Sequence, residues 1–263
     1  MNNDLFVSRW DWRKLIIYNL FAAILIVTWL WQPSHQLWDS LDAYLFHLLN
    51  APLAKNPTWA VFWAINNMRP VDIGVGLILL GIIIQRDWIF AAHQIRRALL
   101  AFLAILFLML LARIGFVEIL KSIGWSRESP SLSIHSAVRL TALFSDWEAH
   151  WYLKDSSIRS FPGDHASVLL IWAMLLSACT QGKKLILIWL LALFFMLPRL
   201  VAGAHWASDD LVGGVFISLI AFGWGYYSPY AVKASAFLEW LFAPVFRLLA
   251  KIPLINKLSV ISG

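Results

Sequence analysis

The chain has 263 residues, of which 60% are hydrophobic and only 14% charged, whereas soluble domains carry about 25% charged residues; with a mean hydropathy of +0.71 it falls in the membrane class. Its net charge of +6 sits in short basic clusters beside apolar runs, which points to membrane lipids and away from nucleic acid. The lone Cys179 excludes an intrachain disulfide and leaves the redox compartment open.

Basic residues at 9–14 precede the first apolar run, 15–31, which is long enough to cross a bilayer as a helix. No small-x-small cleavage site follows, so the run reads as a retained anchor. Residues 32–68 hold two aromatic-rich stretches broken by Pro, Asp and His, the pattern of amphipathic helices lying at the membrane interface, with a re-entrant element as the alternative. A second span is expected over 71–84, starting from about Arg69, followed by a basic loop to Arg97. The third, 98–120, contains Arg113 and Glu118, which must lie near the helix ends or face the protein interior. Residues 121–164 are polar and rich in Ser, Gly and Pro, the composition of connecting structure. The runs 166–179, 185–197 and 207–226 complete the set, and the tail 227–263 reads as an amphipathic, lysine-bearing segment at the membrane surface.

The fold class expected is therefore an all-α polytopic membrane protein: a six-span bundle over 1–226, with the interfacial segment 32–68 and the polar segment 121–164, then the tail. The N-terminus, the 86–97 loop, the QGKK loop and the tail carry the short basic clusters, which assigns them and both termini to the cytoplasmic side. Lys121, Arg127, Arg159, His165, Arg199, His205 and Asp209 then all fall at the outer ends of spans three to six.

That convergence is the equipment for phosphoryl transfer. His205 is the candidate nucleophile, with Asp209 four residues on, at helical spacing, to orient the ring and steady the imidazolium. His165 is the candidate acid and base. Arg199, Arg127 and Lys121 supply cations for the phosphoryl oxygens, and Gly163, ahead of a helix start, offers a backbone N–H to an anion. Cationic side chains of this kind make a metal or other cofactor unnecessary. Asp164 reads as a helix cap. Asn66, Asn67, Arg69 and Asp72 at the outer start of span two, with Arg159, form a candidate headgroup-binding set or a polar network around the core site.

Arg127 with Ser129-Pro130, SFPGDH at 160–165 and R-x5-H-x3-D at Arg199, His205 and Asp209 together resemble the three signature motifs of the PAP2 (type 2 phosphatidic acid phosphatase) superfamily. The third motif keeps the family spacing. The second reads P-G-D-H in place of P-S-G-H, and the first has five residues between Lys121 and Arg127 in place of six. SRESPSL, SFPGDH, PRLVAGAHWASD and INNMRPVD are similar to the branch of the superfamily that phosphorylates lipid A, over most of 15–226. The resemblance implies a helical-bundle enzyme of the Gram-negative inner membrane. It would move the distal phosphate of undecaprenyl diphosphate to the 1-phosphate of lipid A at the periplasmic face, with His205 phosphorylated, His165 as acid and base, and Arg127 and Arg199 as clamps. A phosphatase passing the same group to water is the first competing reading. A non-enzymatic lipid binder or transporter is the second, disfavoured because the polar groups gather at one surface instead of crossing the midplane.

Overall fold

The computed structural model describes residues 5–6 and 8–262. Among them the chain runs through α1 (Trp12–Leu30), α2 (Gln32–Asn50), α3 (Pro52–Lys55), α4 (Pro57–Asn66), α5 (Arg69–Ile84) and α6 (Ile95–Ser122). Three short helices follow, α7 (Pro130–Ser133), α8 (Leu140–Leu143) and α9 (Ser145–Trp151), within the polar segment. The remainder is α10 (Asp164–Cys179), α11 (Lys183–Ala202), a π-helical stretch (Asp209–Gly214) continuing into α12 (Val215–Tyr226), α13 (Tyr230–Leu249) and α14 (Ser259–Ser262). The described residues form no strand, only isolated bridges.

The starts follow local chemistry. Asp11 accepts the Lys14 N–H ahead of α1, and Asn56 accepts that of Trp59 ahead of α4. Prolines stand in the first turns of α2, α3, α4 and α5, where a missing N–H costs nothing.

The six apolar runs each fall inside one helical stretch. Three helices, Trp12–Leu30, Ala92–Ser122 and Lys183–Ala202, are long and apolar enough to cross a membrane, and a fourth span results if Asp209–Tyr226 and Tyr230–Leu249, bent by 75°, count as one. Helices α5 and α10, at 16 residues, are each about 24 Å long. The buried face of α12 packs between α1, α6 and α10. At Gly225 a Cβ would stand 2.8 Å from Ile105 of α6, so only glycine permits that approach. The core around this junction includes Ile105, Leu169, Trp172, Leu175, Ala221 and Phe222, and the Trp172 indole donates to the Leu79 carbonyl. Outward-facing Phe21, Ile24, Phe107, Leu111, Ile186 and Leu190 leave the bundle with the apolar exterior of a lipid-facing surface.

Two parts of the chain depart from the sequence reading. The 32–68 segment is helical as expected, but α2 packs on both α1 and α11 and buries Asp42, Phe46 and Asn50. It is therefore part of the bundle wall as well as a surface. The basic loop also has protein partners: Arg86 donates to the Lys257 carbonyl and to Ser259, and Arg96 to the Val260 and Ile261 carbonyls, fastening α14 against α6.

Helix α11 ends in a left-handed residue, Gly203 (φ 78°), whose N–H returns to the Leu200 carbonyl. A Cβ there would lie 2.8 Å from the Phe46 ring and 3.1 Å from Ser131. Gly203→Ala should therefore destabilise the protein by about 1–2 kcal/mol. A thermal melt in detergent checks this, and a midpoint equal to that of the parent protein would contradict it.

Candidate active site

His205 is buried, 5% exposed, in the turn that α11 makes before the next helix. Helical spacing to Asp209 was the expectation, but the ring is held differently. Its Nδ1 lies 2.9 Å from the Ser160 carbonyl, which can only accept, so the proton sits on Nδ1. Asp209 stands 3.6 Å from the same nitrogen, and its carboxylate accepts the Trp206 N–H at 2.8 Å, closing the turn. Nε2 is the nitrogen left to react, and it faces Asp164 Oδ1 at 3.4 Å.

His165, in the first turn of α10 ahead of the apolar run, donates from Nε2 to the Phe195 carbonyl at 3.0 Å, so its Nδ1 carries the free lone pair. The two imidazoles are drawn together by Asp164, which adjoins one in sequence and touches the other. Their protonation tendencies diverge. Burial lowers His165, and the Arg199 charge adds to that against the opposing pull of Asp72 and Asp164. Burial also lowers His205, but bonds to Asp164 and Asp209 and the charge of Asp210 outweigh it, so its pKa is pushed up to about 10. At neutral pH the resting site thus keeps its extra proton on His205.

The guanidinium groups are preset by acids. Arg199 grips Asp72 with one nitrogen on both carboxylate oxygens, at 2.5 and 2.6 Å, and donates to Asn67 at 2.8 Å. Asn67 in turn donates to the Pro198 carbonyl, locking α4 to α11. Arg127 donates to Asp42 at 2.7 Å and Ser208 at 2.7 Å, lies 3.4 Å from Asp39 and Asp209, and stacks over Trp206. The contacts form two neighbouring sets: His205, Asp209 and Arg127 are joined with Asp164, Ser208 and Asp42, while Arg199, Asn67 and Asp72 are joined to one another, with the Arg199 and Asp72 charges acting on His165.

Other expected residues lie elsewhere. Lys121 pairs with Glu118 one turn back on α6. The Gly163 N–H is not available to an anion, because it donates to the Asp209 carbonyl at 2.8 Å; glycine is required there since a Cβ would fall 2.1 Å from Asp210 Oδ1. Asn66 bonds to its own helix at the Phe62 carbonyl, and Arg69 lies over the Tyr152 ring. Arg159 is exposed and, with Lys154, Ser156 and Ser157, lines an open pocket of about 590 Å³.

Four residues of this region have no site role in the sequence reading, which notes Arg113 only as a charge within the third span. Asp42 is buried and accepts the N–H and hydroxyl of Ser208 as well as Arg127. Asp155 accepts from Arg139 and Thr141, and its carbonyl from Ser131. Ser160 offers its carbonyl to His205. Arg113 reaches Asp164 Oδ2 at 3.5 Å from the middle of α6. An acid on an amphipathic helix and an arginine in an apolar one were the available signals, and neither indicates a partner. Among the described residues no group of three or more His, Cys, Asp or Glu is arranged to hold a metal ion.

The model of the PAP2 superfamily matches residues 98–234. Over 228 residues the chain is 25% identical to the lipid A 1-diphosphate synthase of Escherichia coli (strain K12), covering 86% of this chain and 92% of that relative. No solved structure matches the chain.

Because Asp164 is one of the groups that raise His205, Asp164→Asn should lower the pKa of His205 from its elevated value towards the ordinary imidazole range. Nitrogen-15 imidazole shifts followed from pH 6 to pH 11 in micelles measure this directly. A titration midpoint unmoved by the substitution would remove Asp164 from contact with the ring.

Proposed function

This chain belongs to the PAP2 superfamily, and for it, as an enzyme of that superfamily, we propose transfer of the distal phosphate of undecaprenyl diphosphate to the 1-phosphate of lipid A through a phosphohistidine on His205. The observation that carries this reading is the orientation of His205: with Nδ1–H committed to the Ser160 carbonyl, Nε2 alone can attack, and it faces the start of α10 where His165 stands. The relative's name supports the acceptor.

In this reading Nε2 attacks the distal phosphorus, the bond to the bridging oxygen breaks, and undecaprenyl phosphate leaves with a proton from His165. An oxygen of the acceptor's 1-phosphate then attacks the phosphohistidine, His165 takes up any proton released, and His205 is regenerated. Attack requires Nε2 without its proton: as the phosphoryl group displaces Asp164, that proton passes to His165 Nδ1, and His165 hands it on to the departing undecaprenyl phosphate. Arg199 and Arg127 hold the phosphoryl oxygens, while Asn67, Asp72 and Asp42 keep the two guanidinium forks in place. The pocket beside Arg159 and Lys154, one residue from Ser160, takes the acceptor's anionic headgroup.

The same reading gives the chain six spans over 1–226, both termini on the cytoplasmic side, and the site facing the periplasm across the bacterial inner membrane. It rests on the basic clusters of the inner loops and on the gathering of the polar network at one end of α5, α6, α10 and α11. Residues 227–263 then form a tail along the inner surface, consistent with the exposed Phe237, Trp240, Leu241, Val245 and Leu248 of α13.

Donor labelled in its distal phosphate, mixed in micelles with and without lipid A, tests the reaction. Label should pass to lipid A, and an alkaline quench should trap it on the protein. His205→Ala should abolish both signals while preserving the melt, and His165→Ala should slow turnover by about 10²–10⁴-fold. Label found only as inorganic phosphate would establish the phosphatase, and full activity in His205→Ala would end the mechanism altogether.

A further inference from the structure

Asp164 departs from the usual second motif, and its carboxylate occupies an unexpected place. Oδ1 accepts the His165 backbone N–H at 2.8 Å and stands 3.4 Å from His205 Nε2. Oδ2 lies 3.5 Å from Arg113 Nη2. One planar anion therefore touches the reactive nitrogen, a free N–H in the first turn of a 16-residue helix and a guanidinium group. Those are the three donors that an oxygen-rich tetrahedral anion would seek at this position, since helix starts and arginines both favour phosphate. The Asp164 side chain is 59% exposed, so it can swing away.

Arg113 carries a second mark. Its Nε is buried without a hydrogen-bond partner, although an unmet donor of a charged group is costly away from water. It sits on a face of α6 flanked by the outward Leu110, Leu111 and Ile114, where an arginine persists only if something anionic answers it. Lys121 of the same helix cannot serve in its stead. It lies eight residues further on, about 12 Å along the axis and rotated by roughly 80°, and it is paired with Glu118.

We propose that Arg113 is a phosphate-binding residue of this site and that the Asp164 carboxylate holds the place of the phosphoryl group until substrate displaces it. The inference rests on the phosphotransfer reading above for its substrate, but the geometry concerns any phosphate-like anion. Arg113 then receives a phosphoryl oxygen through the Nη2 now on Asp164, and its unmet Nε lies on the same fork for a second oxygen. Asp164 competes with substrate for the same donors, which keeps Arg113 and His205 neutralised while the site is open to lipid.

Orthovanadate, a phosphate analogue, tests this without requiring turnover, by calorimetric titration of the full-length protein in micelles. Arg113→Gln should weaken vanadate binding at least about tenfold, the scale of one charge-assisted hydrogen bond, with Arg113→Lys recovering part of the loss. Asp164→Asn should tighten it, because the resident competitor loses its charge. In the turnover assay Arg113→Gln should raise KM for the lipid diphosphate in parallel. An Arg113→Gln protein that melts like the parent and binds vanadate equally well would overturn the proposal, as would weaker binding in Asp164→Asn. Should Arg113→Gln fail to fold, the Asp164→Asn and Arg113→Lys titrations decide it alone. Failure of the phosphotransfer reading would look different: vanadate responding as described, with no lipid phosphate turned over by the parent protein.

Discussion

Four arginines, each answered by a carboxylate from another part of the chain, hold this polar centre together: Arg113 with Asp164, Arg127 with Asp42, Arg139 with Asp155 and Arg199 with Asp72. Away from water an unmatched charge costs several kcal/mol, so the pairs with a buried member, Asp42, Asp155 or Arg199, constrain where their segments can lie. Arg127 needs α2 against the turn after α11, and Arg199 needs α5 against α11. The end of the bundle that carries these residues is assembled by charge matching, whereas its body, around Trp172, Phe222 and Ile105, is assembled by packing.

The same pairing leaves each of these guanidinium groups matched to an acid. Pairs of this kind add little net stability, because desolvation cancels much of the attraction, but they fix orientation strongly. Arg199 is aligned by a carboxylate and an amide together, and His205 by a backbone carbonyl that no side-chain substitution can remove. The segment 157–163 reaches the ring because it is tied along its length: Ser129 exchanges bonds with Ser157, and Ser160 donates its N–H to the Arg127 carbonyl. A loop that hydropathy marks only as polar is thereby made as definite as a helix.

What could be read from residues alone was whatever repeats locally. Apolar runs fall within helices because burial and helix period act over adjacent residues, and Arg69 marks the start of α5 as expected. The association of Arg199, His205 and Asp209 is also local. Asp42 escaped notice because its partners Arg127 and Ser208 are 85 and 166 residues away, and its neighbours in α2 read as an interfacial helix. Position before a helix suggests anion binding for Gly163, but its N–H is taken by the Asp209 carbonyl and its Cα packs closely on Asp209 and Asp210. The π-helical start at Asp209 was also missed, because the expectation rested on regular helical spacing from His205 and the structure starts with a turn.

The position of the charge partners along the chain bears on how freely the matched stretch can be moved between scaffolds. The stretch 98–234 that carries the family match contains His165, His205 and the four paired arginines, yet Asp42, Asn67 and Asp72 lie outside it. Grafting that stretch alone into a foreign bundle would strand Arg199 with neither of its side-chain partners and Arg127 without its closest one. The unit of charge matching therefore reaches back at least to Asp42, and a chimaera spliced downstream of that point must supply substitutes for those acids.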